Sequence, residues 1–224
     1  MSFKGLNDRR RQQALVPFLR AADSIPGLLF TVIIEKSLKG TVFDFRSEDA
    51  EDPSLKFNHW SASAFQRFVL MGHFGSLLLS GLSAPMQNVL WFTDEDDLAA
   101  NDSRIIEGTR ALATITSNYL PHTLGHLRYG TTKSDPGNRS IEDLAALPDL
   151  AAGALNEIIV STPISHLLTP APQSLSAKTR NIAGWLSESF HTLKKITFVI
   201  DRGETGKVRV RDLILLPEYS NLYL

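Results

Sequence analysis

The sequence predicts a mixed α/β fold, a sheet flanked by helices and ending in a C-terminal antiparallel hairpin. Three observations predict it. Apolar, β-branched runs such as "LLFTVIIEK" and "NVLWFT" alternate with stretches of helical periodicity. The segment "KITFVIDRGETGKVRVRDLILLP" reads as two strands joined by a short Gly-containing turn. A length of 224 residues at 43% hydrophobic content is enough for one large core, so residues 1–224 are expected to form a single domain.

Taken in order, Leu15, Phe18, Leu19 and Ala22 repeat at i, i+3, i+4 and i+7, so Asp8 to Ser24 reads as an amphipathic helix stopped by Pro26-Gly27. "LLFTVIIEK" is continuously apolar and β-branched, the pattern of a central strand covered on both faces. A polar loop from Ser37 to Pro53 precedes a long helix from about Trp60 to Leu82. The strand "NVLWFT" leads into a helix whose stripe is Leu98, Ile105, Ile106 and Leu112. "TLGHLRYG" reads as a further strand and "TTKSDPGNRS" as a loop. Ser140 and Asp143 form a capping pair, and Pro148 suits the first turn of a helix, "PDLAAGALNEII", that buries Ala151, Ala154, Leu155 and Ile158. Three prolines between Ser161 and Gln173 mark a loop or lid, and Ile182, Trp185, Leu186 and Phe190 mark one more helix.

A formal net charge of -1 gives no global pull towards nucleic acid or membrane, so any polarity must be local. The absence of cysteine excludes disulfides, thiolate metal sites and a cysteine nucleophile, and suits a reducing compartment. "MSFKGLNDRRRQQ" lacks the apolar core of a signal peptide, and "FVLMGHFGSLLLSGL" falls short of the roughly 18 apolar residues of a membrane span. A cytoplasmic protein without a membrane partner is expected.

The stretch "NVLWFTDEDDLAAND" carries the sharpest chemistry. Asp94 stands directly after a strand, where open α/β sheets place ligands, and a carboxylate held there suits Mg²⁺ or Mn²⁺. The competing reading is that Asp94, Glu95, Asp96 and Asp97 offset the positive end of the next helix, with Asp94 as its cap. Asp149, after Pro148 and beside Ala151, Ala152 and Gly153, is a second carboxylate that a closely packed helix could bring to Asp94; alone it is equally a helix-dipole partner. Glu35 at a neighbouring strand end would complete the layout of a two-metal phosphoryl-transfer site, or is simply a solvated charge. From Ser176 to Arg211 basic residues exceed acidic ones by five, and Arg209 and Arg211 alternate with Val208 and Val210, so both project from one strand face. With Lys207 they are candidates for contacting a phosphate backbone, against the alternative of a solvated outer face. "RRR" at Arg9 to Arg11 is a second basic patch.

Other signatures are excluded. "GETGK" lacks phosphate-loop spacing and is followed by Val208; "HTLGH" is preceded by Pro121 and contains Gly125, which oppose the helix that would align His122 with His126. There is no G-x-S-x-G elbow and no G-x-G-x-x-G after a strand. His166, in the proline-rich segment, reads as a loop histidine or a mobile acid-base group.

"NVLWFTDEDD" and "IEDLAALPDLAAGAL" together resemble a bacterial family of uncharacterised proteins with an RNase H-like fold, whose members look like metal-dependent nucleases. The resemblance implies an RNase H-like mixed sheet, with Asp94 and Asp149 matching the family's metal-binding aspartates; with it the expected function is Mg²⁺- or Mn²⁺-dependent cleavage of phosphodiester bonds, Glu35 standing as a further candidate ligand from its strand-end position. Asp97 would orient the attacking water or a second ion, while Lys207, Arg209 and Arg211 hold the nucleic-acid backbone. The family opens with a strand bearing an aspartate-glutamate-serine motif, whereas this chain opens at its first helix. That difference implies a replaced ligand, a degenerate site, or a start downstream of the complete first strand, and an edge that a homo-oligomer could cover. Two other expectations follow: a catalytically inactive RNase H-like interaction protein of a defence or toxin-antitoxin system, and a small-molecule phosphohydrolase.

Overall fold

The structure, a computed structural model, describes residues 1–38, 57, 60–93, 98, 101–131, 139–161, 175–213 and 215. The chain is mixed α/β and divides into two compact units, residues 1–36 with 143–224, and residues 37–142, where the sequence suggested one domain. Each is described by itself.

In the first unit Asp8 accepts the amides of Arg10 and Arg11, opening helix α1, Arg9–Ala22. Strand β1, Gly27–Ile34, follows, and helices α4, Ser140–Ser161, and α5, Ala177–Ser187, precede strands β4, Leu193–Arg202, and β5, Val208–Asp212. The intervening numbers α2, α3, β2 and β3 belong to the second unit. β1 runs parallel to β4, from Gly27↔Leu193 to Ile34↔Ile200, and β5 returns antiparallel to β4. The C-terminal hairpin is thus as the sequence predicts, with Gly206 taking the positive φ of its turn. β4, not β1, is the central strand of this three-stranded sheet; in β1 only Leu29 is buried. A continuous apolar run identifies a strand but not its number of neighbours.

α4 is one uninterrupted helix with Pro148 inside it, so Pro148 does not open a helix and Asp149 does not occupy a first turn. The proline is exposed, and so is Leu144, whose carbonyl loses its partner, which lets water replace the missing amide. Among the described residues α4 alone is long and apolar enough to cross a membrane by length and composition. Its Leu147, Leu150, Ala151 and Ala154 are nevertheless core residues, packed with Leu15 and Leu19 of α1 and Ile182 and Trp185 of α5. Phe190, expected on the last helix, lies beyond α5 and is 98% exposed.

In the second unit helices α2, Ala62–Leu82, and α3, Asp102–Tyr119, accompany a two-stranded parallel sheet of β2, Val89–Thr93, and β3, Leu127–Thr131. Ala64, Phe65, Phe68, Val69, Ala111, Leu112 and Tyr129 form its core. α3 starts at Asp102 and is capped by the Asn101 side chain, and Leu98 precedes rather than joins its stripe; the carboxylates at 94–97, expected in its first turn, lie outside the described residues.

Candidate metal centre

Asp23 follows the last turn of α1, where the helix dipole disfavours a negative charge, and it is only 8% exposed. A buried carboxylate at that end of a helix requires compensation, and β4 and α5 supply it. Trp185 donates its indole N–H to Asp23 Oδ1 at 2.7 Å, and Lys195 donates its ammonium to the same oxygen at 3.0 Å. The Lys195 side chain is itself 3% exposed and lies 4.6 Å from the centre of the Trp185 ring. Leu193 N–H donates to the Asp23 carbonyl, fixing the end of α1 to the start of β4.

The other oxygen, Oδ2, is the one nearer His191. His191 Nε2 lies 3.6 Å from it and 2.9 Å from Glu188 Oε2. The three donor atoms lie within 4.8 Å of one another, a grouping that could hold a metal ion. Burial is graded: Asp23 is buried, His191 half-buried and Glu188 exposed, so the grouping opens to solvent on one side. Lys194 donates to the His191 carbonyl at 3.0 Å and steadies the segment that carries both outer ligands. The donor set is chemically suitable, because an imidazole and two carboxylates leave positions for water or substrate on a divalent ion. With Lys195 paired to Asp23, the group carries one net negative charge when His191 is neutral.

The far end of β4 is organised differently. Asp201, 6% exposed, accepts Arg209 Nε at 2.6 Å and Nη2 at 3.3 Å, and also accepts Arg211 Nη2. Arg209 and Arg211 therefore share one face, as their alternation predicts, and one carboxylate offsets half of their charge. The hydrogen bond from Arg209 holds the Asp201 carboxyl below its usual range; burial opposes this, and Arg211 adds to it. Asp201 in turn raises the Arg209 pKa, through the same hydrogen bond. Lys207 is exposed in the adjoining turn, its carbonyl accepting the Gly203 amide. Glu35 tops the parallel pair: its amide donates to the Ile200 carbonyl, and its carboxylate accepts the Arg202 amide at 2.8 Å. Six residues of strand, about 20 Å, separate Lys195 from Asp201.

Of the other sequence-predicted ligands, Asp94 and Asp97 lie outside the described residues, as does His166. Asp149 projects from the middle of α4 and accepts the Phe3 amide at 2.7 Å. The Asp23 grouping escaped the sequence reading because its members come from the two ends of the chain. A local signal existed in "ESFH", a carboxylate and an imidazole three residues apart, the spacing used by helical carboxylate metal sites, although here it lies past the end of α5. Comparison with protein-family models, with curated proteins and with solved structures found no match to this chain.

Proposed function

We propose that the protein is a divalent-metal-dependent hydrolase of phosphodiester bonds, and that its ion is held by Asp23, Glu188 and His191. The observation that carries the reading is the convergence of these three donor atoms within 4.8 Å, with Asp23 held by the Trp185 and Lys195 contacts to its Oδ1. The imidazole favours Mn²⁺ over Mg²⁺, which prefers an all-oxygen shell. When bound, such an ion polarises a phosphoryl oxygen and activates water. The chain's own part is positional. Trp185 and Lys195 pin Asp23 Oδ1 and thereby orient Oδ2, the Lys194 contact to the His191 carbonyl steadies the segment bearing Glu188 and His191, and the half-open geometry admits substrate from solvent.

An RNase H-like lineage, nucleic acid as substrate and a cytoplasmic setting belong to the same proposal. The motif "PDLAAG" supports that lineage less than its letters suggest, because Asp149 has a structural duty. A second reading, an inactive RNase H-like interaction protein, is favoured by one observation: Glu35 and Asp149 each accept a main-chain amide within the fold.

Calorimetric titration with Mn²⁺ separates the two. The metal-dependent reading expects one Mn²⁺ per chain, lost in the Glu188→Gln, His191→Ala double variant, together with Mn²⁺-dependent cleavage of single- or double-stranded oligonucleotides. Absence of binding by the unaltered protein rejects the metal centre. Binding without cleavage of DNA, RNA or nucleotides leaves the interaction reading standing.

A further inference from the structure

In the second unit the end of α3 and the segment leading to β3 line an open cavity of about 490 Å³. Its apolar walls include Leu120, Leu124 and Leu127, with Thr116, Ser117, Thr123 and His122 as polar points. Among the described residues no Asp, Glu, Lys or Arg lines it. The volume and the apolar lining with a few polar groups are those of a small-molecule pocket.

The rim is preformed. Met86 N–H donates to the Thr123 carbonyl, Gly125 N–H to the Gln87 carbonyl and Val89 N–H to the His126 carbonyl, so the segments 86–89 and 123–126 are zipped together. Gly125 is needed for that approach, since a Cβ there would lie 2.6 Å from the Met86 carbonyl oxygen. Below the cavity the buried Ser76 and Thr116 hydroxyls satisfy each other at 2.9 Å. A rim already held by main-chain hydrogen bonds lowers the ordering cost of binding.

His122 gives the pocket its polarity. The Ser83 hydroxyl donates its one hydrogen to the Leu79 carbonyl, and His122 Nε2 lies 3.2 Å from the same hydroxyl oxygen. Nε2 must therefore carry the hydrogen of that contact, which leaves Nδ1 of the neutral ring as an acceptor. We propose that this cavity binds an uncharged, mainly apolar small molecule carrying a hydrogen-bond donor, which it presents to His122. The absence of a lining cation makes it unsuited to a phosphate ester, so it is distinct in chemistry from the metal centre.

The probe is 1-naphthol, compared with 1-methoxynaphthalene, which lacks the donor, and with naphthalene-1-sulfonate, which is charged. The expected result is saturable one-site binding of 1-naphthol, about tenfold weaker binding of the methyl ether, and no binding of the sulfonate. Ala113 lies on an exposed position of α3, so Ala113→Phe fills the cavity without disturbing the core and should abolish binding. Ala113→Leu should weaken it partly, and Ser103→Phe, at the other end of the same helix, should leave it unchanged. His122→Phe should erase the preference for the hydroxyl over the ether. The proposal is overturned if 1-naphthol does not saturate, if a folded Ala113→Phe variant binds it as the unaltered protein does, or if His122→Phe retains the preference. Mn²⁺ binding by the Asp23 grouping is unaffected by any of these outcomes.

Discussion

The carboxylate of Asp149 accepts the main-chain amide of Phe3 at 2.7 Å, across 146 positions of sequence. One turn further along α4, Gly153 leaves the space that the Phe3 ring occupies: a Cβ there would lie 2.2 Å from Phe3 Cγ. Lys178 completes the clamp, donating to the Phe3 carbonyl and standing 4.2 Å from its ring centre. The run of small residues after Pro148 thus serves to seat Phe3. Gly153→Ala is expected to lower stability by about 1–2 kcal/mol, overpacking outweighing the gain in helix propensity. Asp149→Asn should cost about 1 kcal/mol and leave Mn²⁺ binding unchanged. Urea denaturation and calorimetric titration check the pair.

Lys195 and Asp23 form a buried ion pair whose members are also bound to Trp185. Lys195→Met should cost about 3–5 kcal/mol, because it leaves a buried carboxylate with one strong donor fewer. The Asp23→Leu, Lys195→Met double variant should cost much less than the sum of the single changes. A double-mutant cycle from denaturation midpoints measures this coupling, and additive losses would show that the two groups do not depend on each other.

Acid should weaken the two units over different ranges. Burial pushes Glu157 up, but the Ser176 amide, the Thr179 and Ser176 hydroxyls and the Lys178 charge together bring its pKa below the usual value. Asp201 is lowered as well, chiefly by Arg209. Both carboxylates therefore stabilise the fold above the pKa of the unfolded chain, roughly 4, and lose that contribution as pH falls through their lower folded values. His73 in the second unit is lowered by burial, and its Nδ1 lies 2.8 Å from the Tyr119 hydroxyl. Its neutral form is the one favoured by folding, so its contribution is full above about pH 6.5 and declines below it. Melting followed from pH 8 to 3 should show the loss beginning near 6.5, and His73→Phe should remove that early part while retaining the later fall.

Arg211 contributes to the hairpin through Asp201 and keeps its Nε buried without a hydrogen-bond partner. Asp201→Asn should therefore destabilise by about 2–3 kcal/mol, since two guanidinium groups lose a charged acceptor. If the face binds nucleic acid, the same variant frees both arginines and should raise affinity for a 20-nucleotide single strand at low salt, with a steeper salt dependence. Fluorescence anisotropy across a salt series decides; equal affinity with and without Asp201 would remove this face from substrate binding.

The sequence made the elements legible wherever a single period dominated. Leu15, Leu19 and Ala22 located α1, and the Gly-containing turn located the β4–β5 hairpin. It misled where a local rule depends on the environment. An interior proline removes one hydrogen bond and crowds the carbonyl four residues back, but beside the exposed Leu144 water can reach that carbonyl, and α4, held by its buried stripe, continues through Pro148. The site was hidden for a different reason. Asp23 meets Glu188 and His191 only because β1 pairs with β4, and no local pattern encodes that long-range register. The four carboxylates that draw the eye, Asp94 to Asp97, lie outside the described residues.

The first unit is interrupted in sequence: the chain leaves it after Lys36, builds the second unit, and returns at Asp143. During synthesis this order matters. The apolar stripe of α1 and the whole of β1 emerge from the ribosome long before their partners in α4 and β4 exist. At cellular elongation rates that interval is on the order of ten seconds, ample for the uninterrupted 37–142 segment to collapse first. The nascent chain must therefore carry "LLFTVII" unpaired through that time, and the yield of folded protein will depend on how well the cell shields those seven residues.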